Sequence, residues 1–332
     1  MQFEENIALA PLTTFCLGGP ARFFVTAKTL EDIQQSLDFA RDKNLPVFIL
    51  GGGSNVLVGD EGFVGVVIKI ELKGVEQNDT ALTAGAGESW DALVAYAVEN
   101  TLWGIENLSG IPGTVGGACV QNIGAYGAAL SEVLESVEVF DTHEQKIKTL
   151  SKEDCNFGYR GSIFKTEEGR YIVLHATLKL SVSPKPNVSY KDLAARFNDS
   201  SMDLQAIRNA VLEIRRGKFP DLNVEGTAGS FFKNPIMSQA EANELKERYP
   251  DMPLFLMPET SGVKVPLAWL LDKALSLHGT RVGGARLFDK QALVIAADRN
   301  ASAHDVKELA SFVQKKVFEE LKIKIEPEVK IL

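Results

Sequence analysis

Two glycine clusters stand out along the chain, Gly51–Asn55 (GGGSN) and Gly110–Gly127 (GIPGTVGGACVQNIGAYG). Glycine reaches positive φ without a steric penalty and lets backbone come close to a ligand. Successive N–H groups in such turns form a concave anion site, so the predicted chemistry is phosphate binding. Loops this long and this glycine-dense are usually functional in a compact domain. Three further groups are candidates for chemistry. Arg160 lies in GYRGS (Gly158–Ser162), flanked by glycine and Tyr159 between two predicted strands. Ser230, in GSFFKNP (Gly229–Pro235), reads on its own as a turn or cap serine. Glu326 and Glu328, in EPEV, lie two apart in a predicted C-terminal strand and should face the same side. No G-x-G-x-x-G fingerprint follows a strand and no P-loop occurs, so a bound dinucleotide would need another scaffold.

Alternating element types position these groups. Ala21–Ala27, Val47–Leu50 and Val64–Ile70 read as strands, the second running straight into Gly51. Between the first two, Leu30–Ala40 reads as an amphipathic helix with Ile33 and Leu37 inward, capped by Thr29 with Asp32. A second region holds strands Ala81–Gly85, Ser136–Asp141, Lys146–Leu150 and Tyr171–Leu180, and helices Trp90–Val98 and Leu204–Ile214. Beyond Arg216 a polar loop to Pro235 is expected. A third α/β region follows, with helices Gln239–Arg248, Leu267–Leu277 and Asp305–Leu321 and strand Ala292–Ala297. Ser302 and Asp305 form a capping box there. The expected division is 1–70, 71–216, 217–325 and a returning C-terminal strand over 326–332.

The chain has 332 residues, 45% hydrophobic and 24% charged, as expected for a globular protein of two or three domains. A net charge of −9 argues against a nucleic-acid footprint, so any phosphate must be held locally by backbone and a few placed cations. No apolar run is long enough for a membrane span, and Met1–Ala10 lacks a signal pattern, which predicts a cytoplasmic protein. Cys16, Cys119 and Cys155 are too few for a disulfide framework and are expected to be buried small hydrophobes. They have no metal-ligand spacing with the four histidines, so no metal is expected.

The strand-GGGSN turn followed by GIPGTVGGA and QNIGAYG resembles the FAD-binding domain of the vanillyl-alcohol oxidase type. Together with GYRGS, GSFFKNP and EPEV in this order, the motifs resemble the UDP-N-acetylenolpyruvoylglucosamine reductases from Leu12 to the C-terminus. The resemblance implies a mixed α+β and α/β chain, with a two-part FAD-binding region and a C-terminal α/β substrate-binding domain. It implies FAD held non-covalently, and the lack of any histidine before His143 agrees, since related oxidases tether flavin through one. It also implies NADPH as co-substrate and UDP-N-acetylglucosamine enolpyruvate as substrate, reduced to a cell-wall precursor by a monomer.

Site residues carry over by motif. Flavin contacts are implied for Gly51, Gly52, Gly53, Ser54, Asn55, Gly110, Pro112, Gly113, Gly116, Gly117, Ala118, Asn122, Gly124, Ala125 and Tyr126. Arg160 matches the position that holds the developing enolate, and Ser230 the proton donor to the α-carbon. Glu328 is selected over Glu326 because the family glutamate directly precedes valine, and it would polarise the substrate carboxylate. Tyr190, Lys218, Asn234, Gln291 and Tyr159 match substrate contacts. An oxidase of small alcohols or lactones is the competing enzyme reading. A nucleotide-sugar or flavin binding protein without catalysis is the non-enzymatic one, disfavoured because Arg160, Ser230 and Glu328 are all present.

Overall fold

Runs of Val, Ile and Phe along Pro20–Ala27 and Phe63–Ile70 make the centre of a four-stranded sheet. Its order is Glu4–Ala8, Pro20–Ala27, Phe63–Ile70, Val47–Leu50, and the last three strands are parallel. Parallel strands need covered faces. The helix Leu30–Asp42 covers one, burying Ile33 and Ala40 against the sheet. Its start is set by the expected capping box. Asp32 N donates to Thr29 Oγ1 at 3.1 Å and Thr29 N donates to Asp32 Oδ2 at 3.0 Å, an arrangement worth about 1 kcal/mol. The computed structural model describes residues 2–197, 202–257 and 262–332.

The chain forms two compact units. The first comprises Met1–Ile7, Pro20–Gly53 and Phe63–Gly217, and the second Ala8–Gly19, Ser54–Gly62 and Lys218–Leu332. Besides the parallel sheet, the first unit holds a five-stranded antiparallel sheet. Its order is Lys146–Ser151, Leu134–Asp141, Tyr171–Lys179, Ala81–Gly85, Val75–Asn78. Trp90, Leu93, Val94 and Ala97 of the helix Trp90–Glu99 are buried in its core. So are Leu204, Ile207, Val211 and Ile214 of the helix Leu204–Lys218, the face that its 3.6-residue period predicts. The glycine segment is not loop throughout. Thr114 caps a helix over Val115–Gln121 that ends at Asn122 in the left-handed region.

In the second unit, strands Arg281–Val282, Ala285–Phe288 and Gln291–Ala297 form an antiparallel sheet, and Ile236–Met237, Gly262–Lys264 and Phe255–Met257 another. The long helix Ala303–Leu321 buries Val306, Leu309, Val313 and Val317. Ser302 and Asp305 make its capping box, and Ala303 N and His304 N donate to the Asp60 carboxylate at 2.8 and 3.0 Å. A carboxylate there complements the helix dipole.

Three expectations are corrected. The helix expected over Leu267–Leu277 is a short α-turn, Leu267–Trp269, followed by a π-turn over Leu270–Ala274. The wider turn buries Leu270 and Leu271 together. The loop expected up to Pro235 holds no helix or strand after Lys218, and isolated bridges tie it down: Gly226 to Ala297, Ser230 to Val294 and Phe232 to Pro327. The regular C-terminal strand is Lys330–Ile331, parallel to Val56–Leu57, and Glu326–Val329 lies outside it. Alternation therefore fails at EPEV, where Glu326 is exposed and Glu328 half-buried. Cys119 and Cys155 are buried as expected, but Cys16 is exposed.

Burial pushes the Cys119 thiol up strongly and the Cys155 thiol up to about 12, so neither supplies thiolate at neutral pH. A neutral-pH thiol titration of the native protein is expected to count one reactive cysteine, and three after denaturation. Two reactive thiols in the native state would contradict the buried environments. Among the described residues no helix is long and apolar enough to cross a membrane, and no cluster of His, Cys, Asp and Glu suits a metal ion.

Candidate active site

In the first unit the two glycine turns meet backbone to backbone. A Cβ on Gly52 would lie 2.6 Å from Gly113 Cα, and one on Gly51 would lie 2.8 Å from Thr114 Oγ1. Gly53, Gly110 and Gly113 take positive φ of 62°, 69° and 114°. Pro112 is exposed between them, and Ala118 is buried one turn into the helix that follows. Gly116 is packed too closely for a side chain, its Cβ falling 2.9 Å from that of Ala86. Gly117 is different. A Cβ there would meet nothing nearer than Thr114 Oγ1 at 3.6 Å, so the protein leaves that face open. A cradle of peptide groups without side chains suits the diphosphate of a dinucleotide cofactor.

Residues that the sequence reading missed support this cradle. Arg215 Nε donates to Gly110 O at 2.9 Å and hydrogen-bonds the Tyr126 side chain. Burial holds its guanidinium below the ordinary arginine value, against the pull of Tyr126 and Asp91. Gly110 N donates to Asp91 Oδ1 at 2.6 Å, and Arg208 forks onto the same carboxylate at 2.6 and 3.0 Å. Burial alone would raise the Asp91 carboxyl, but these bonds hold it below the usual range. The available signal was spacing: Arg208 and Arg215 are seven apart and flank the inward face of one helix.

Arg160 stands at the third place of a four-residue turn closed at both ends. Gly158 N donates to Gly161 O and Gly161 N to Gly158 O, each at 3.1 Å. Arg160 adopts φ +55°, the left-handed region, which costs an L-residue roughly 1–2 kcal/mol. Glycine would occupy that place without the cost, so turn formation does not select arginine. The turn docks on the glycine segment. Asn122 Nδ2 donates to Gly158 O at 3.0 Å, Ser162 Oγ donates to Val120 O at 2.7 Å, and Arg160 Nη2 donates to Gly124 O at 2.6 Å. The Arg160 guanidinium lies 5.3 Å from the centre of the Tyr159 ring. Asn122 is thus committed on both sides, since its Oδ1 accepts from Ser131 N at 3.1 Å.

Ala125 sits half-buried in the short strand pair Gly124–Ala125 and Ala128–Ala129. Tyr126 also takes positive φ, 49°, and its ring meets that of Tyr190 edge to face at 5.2 Å. Tyr190 precedes the helix Lys191–Ala194 and is 40% exposed.

The second unit carries the other candidates. Phe231 N donates to Leu293 O and Glu328 N donates to Phe231 O, both at 2.8 Å, so the Ser230 segment lies between the strand Gln291–Ala297 and EPEV. Phe231 and Phe232 are buried and anchor it. Ser230 is half-buried, and its hydroxyl takes no partner among the described residues. Asn55 Nδ2 donates to Glu328 O at 3.2 Å and Lys330 N donates to Asn55 O at 3.0 Å, which fixes the chain on both sides of Val329. Ser54 precedes it, half-buried. Gln291 opens the strand that bridges Ser230, again half-buried. Asn234 Oδ1 accepts from Leu267 N at 2.9 Å, a helix-capping contact. Lys218 ends the helix Leu204–Lys218, half-buried. Ser230, Glu328, Asn55 and Gln291 therefore lie on neighbouring backbone, and Asn234 and Lys218 are placed by other contacts.

A glycine cradle, with a strained arginine docked on it, suits an enzyme that binds a dinucleotide. Residues 21–151 match a family described as FAD binding domain, and residues 221–332 one described as UDP-N-acetylenolpyruvoylglucosamine reductase, C-terminal domain. Curated proteins named UDP-N-acetylenolpyruvoylglucosamine reductase align along nearly their whole length. That of Neisseria gonorrhoeae is 41% identical, covering 96% of this chain and 94% of its own. That of Salmonella typhi is 41% identical over 98% and 95%, and that of Amoebophilus asiaticus 39% identical over the full length of both. The crystal structure of the Thermus caldophilus reductase superposes with a TM-score of 0.71 at 28% identity, covering 100% of this chain and 99% of that one. The chain belongs to the UDP-N-acetylenolpyruvoylglucosamine reductase family. The expected fold class, an FAD-binding region of the vanillyl-alcohol oxidase type and a C-terminal α/β domain, holds, and FAD is its cofactor.

Proposed function

We propose that the chain reduces UDP-N-acetylglucosamine enolpyruvate to UDP-N-acetylmuramate with NADPH, as a cytoplasmic monomer that supplies a peptidoglycan precursor. FAD, when bound, would supply hydride chemistry, with NADPH as the source. The residues of the glycine segments named above hold that cofactor, chiefly through peptide N–H groups. Hydride reaching the terminal vinyl carbon leaves carbanion-like charge on the α-carbon, spread into the carboxylate. That charge needs cationic stabilisation and then a proton.

Arg160 forks onto the carboxylate and holds the charge as it develops. Ser230 gives its hydroxyl proton to the α-carbon. Serine is a weak acid, but the basicity of the acceptor drives the transfer. Glu328 polarises the same carboxylate. Tyr190, Lys218, Asn234, Gln291 and Tyr159 bind the nucleotide-sugar portion. The observation that carries this reading is the left-handed Arg160, an arginine kept where the turn itself favours glycine.

Anaerobic half-reactions test it. The protein, reduced with one equivalent of NADPH, should recover its oxidised flavin absorbance promptly when the enolpyruvyl substrate is added without oxygen. Absorbance that returns only on admitting air would remove the reductase reading. In Ser230→Ala, bleaching by NADPH should persist within about two-fold, while recovery with substrate slows roughly 10²–10⁴-fold, the usual worth of a placed proton donor. Equal loss in both steps would refute the proton-donor role.

A further inference from the structure

We infer that Lys165 is a positioning residue for Arg160, holding the catalytic turn in its left-handed form. The inference rests on the proposed role of Arg160. Lys165 lies in the single-turn helix Ile163–Thr166 directly after the turn and is half-buried. Its Nζ donates to Arg160 O at 3.0 Å and to Gln121 Oε1. Gln121 is itself buried, at the end of the helix Val115–Gln121. One ammonium therefore ties the carbonyl of the catalytic residue to the end of the glycine-segment helix.

The contact acts on the peptide that matters. Residue 160 leaves the left-handed region when a peptide adjoining it flips. The turn around it is fastened at Gly158 O, which accepts from Asn122 Nδ2 and from Gly161 N, the N–H of the peptide that follows Arg160. The Arg160 carbonyl is fastened by Lys165. Asn122 and the glycine pair form neutral hydrogen bonds, whereas the lysine forms charge-assisted ones, which are about twice as strong. Lys165 is thus a charge-assisted restraint on the Arg160 carbonyl, whose reversal would carry the guanidinium off Gly124 O. Arginine in its place keeps the charge and the donors, while methionine keeps the length and removes both.

Stopped-flow half-reactions of Lys165→Met, Lys165→Arg and Arg160→Ala, with the double variant Arg160→Ala/Lys165→Met, test the assignment. Lys165→Met should bind flavin and be reduced by NADPH within about two-fold of the parent. Its transfer to the enolpyruvyl substrate should slow roughly 10–100-fold, the scale expected for a misplaced catalytic group. Lys165→Arg should recover most of that rate. In the Arg160→Ala background the methionine should add less than about two-fold, because residues that act through one another are not additive. Equal slowing in both backgrounds, or no slowing with Arg160→Ala strongly impaired, overturns the positioning role. An Arg160→Ala variant that reduces substrate normally overturns the Arg160 reading first, and the inference with it. If Lys165→Met does not fold, Lys165→Gln decides: loss of the second half-reaction with normal flavin binding and unchanged thermal midpoint supports positioning, and unimpaired turnover overturns it.

Discussion

Arg160→Ala is expected to take hydride from NADPH at nearly the parent rate and to lose roughly 10²–10³-fold in transfer to the enolpyruvyl substrate. That range is the cost of removing one group aimed at developing charge in a dry site. The companion variant Arg160→Gly should be as inactive, since both lack the guanidinium. It should nevertheless be more stable than Arg160→Ala by about 1 kcal/mol, because alanine retains a Cβ at φ +55° and glycine does not. Denaturant unfolding of the two variants isolates the backbone term, as each has lost the same bond to Gly124 O. Equal stabilities would show that the turn relaxes once the side chain is gone. A slow first half-reaction in either variant would assign Arg160 to cofactor binding instead.

Gly52→Ala and Gly117→Ala should separate space filled by the protein from space kept for the cofactor. The Cβ of Gly52 would fall 2.6 Å from a backbone carbon, Gly113 Cα, which cannot rotate aside. The two turns must move apart, at a cost of roughly 1–3 kcal/mol, and flavin affinity falls with them. The Cβ of Gly117 meets only ordinary contact at 3.6 Å, and alanine is the better helix residue. Flavin-free Gly117→Ala should therefore be stabilised by up to about 1 kcal/mol. Its FAD affinity should fall roughly ten- to hundred-fold as the methyl enters the space proposed for the cofactor. Titrating flavin-free protein with FAD and comparing thermal midpoints reads both effects. A Gly117→Ala variant that binds FAD as tightly as the parent would place the cofactor elsewhere.

Residue periodicity carried much of the fold. The inward faces of Leu30–Asp42, Leu204–Lys218 and Ala303–Leu321, and the caps at Thr29 and Ser302, follow from spacings of three and four residues. Such signals are local, so they survive without knowledge of the partner surface. The π-turn at Leu270–Ala274 was not legible, because an apolar run of that length is also what an α-helix looks like. Asp91, Arg208 and Arg215 were missed for a related reason. A charged residue beside an apolar stripe reads as solvated until a second element closes over it.

The sequence by itself determined which groups could do chemistry: glycine segments that admit a backbone cradle, and Arg160, Ser230 and Glu328 in motifs of one family. It did so because composition and spacing within a motif are short-range properties. Only the tertiary structure decided that Ala8–Gly19 and Ser54–Gly62 pack with the C-terminal half. The same holds for Gly226 and Ser230, which bridge Ala297 and Val294 of the strand Gln291–Ala297, and for Glu328, which is fastened by Phe231 and Asn55. Those pairings join residues up to 273 positions apart through single hydrogen bonds, and such bonds leave no repeating pattern in either partner. Arg160 shows the division most clearly. Its motif marks it as reactive, but its left-handed backbone and the Lys165 contact on its carbonyl exist only once the turn has docked.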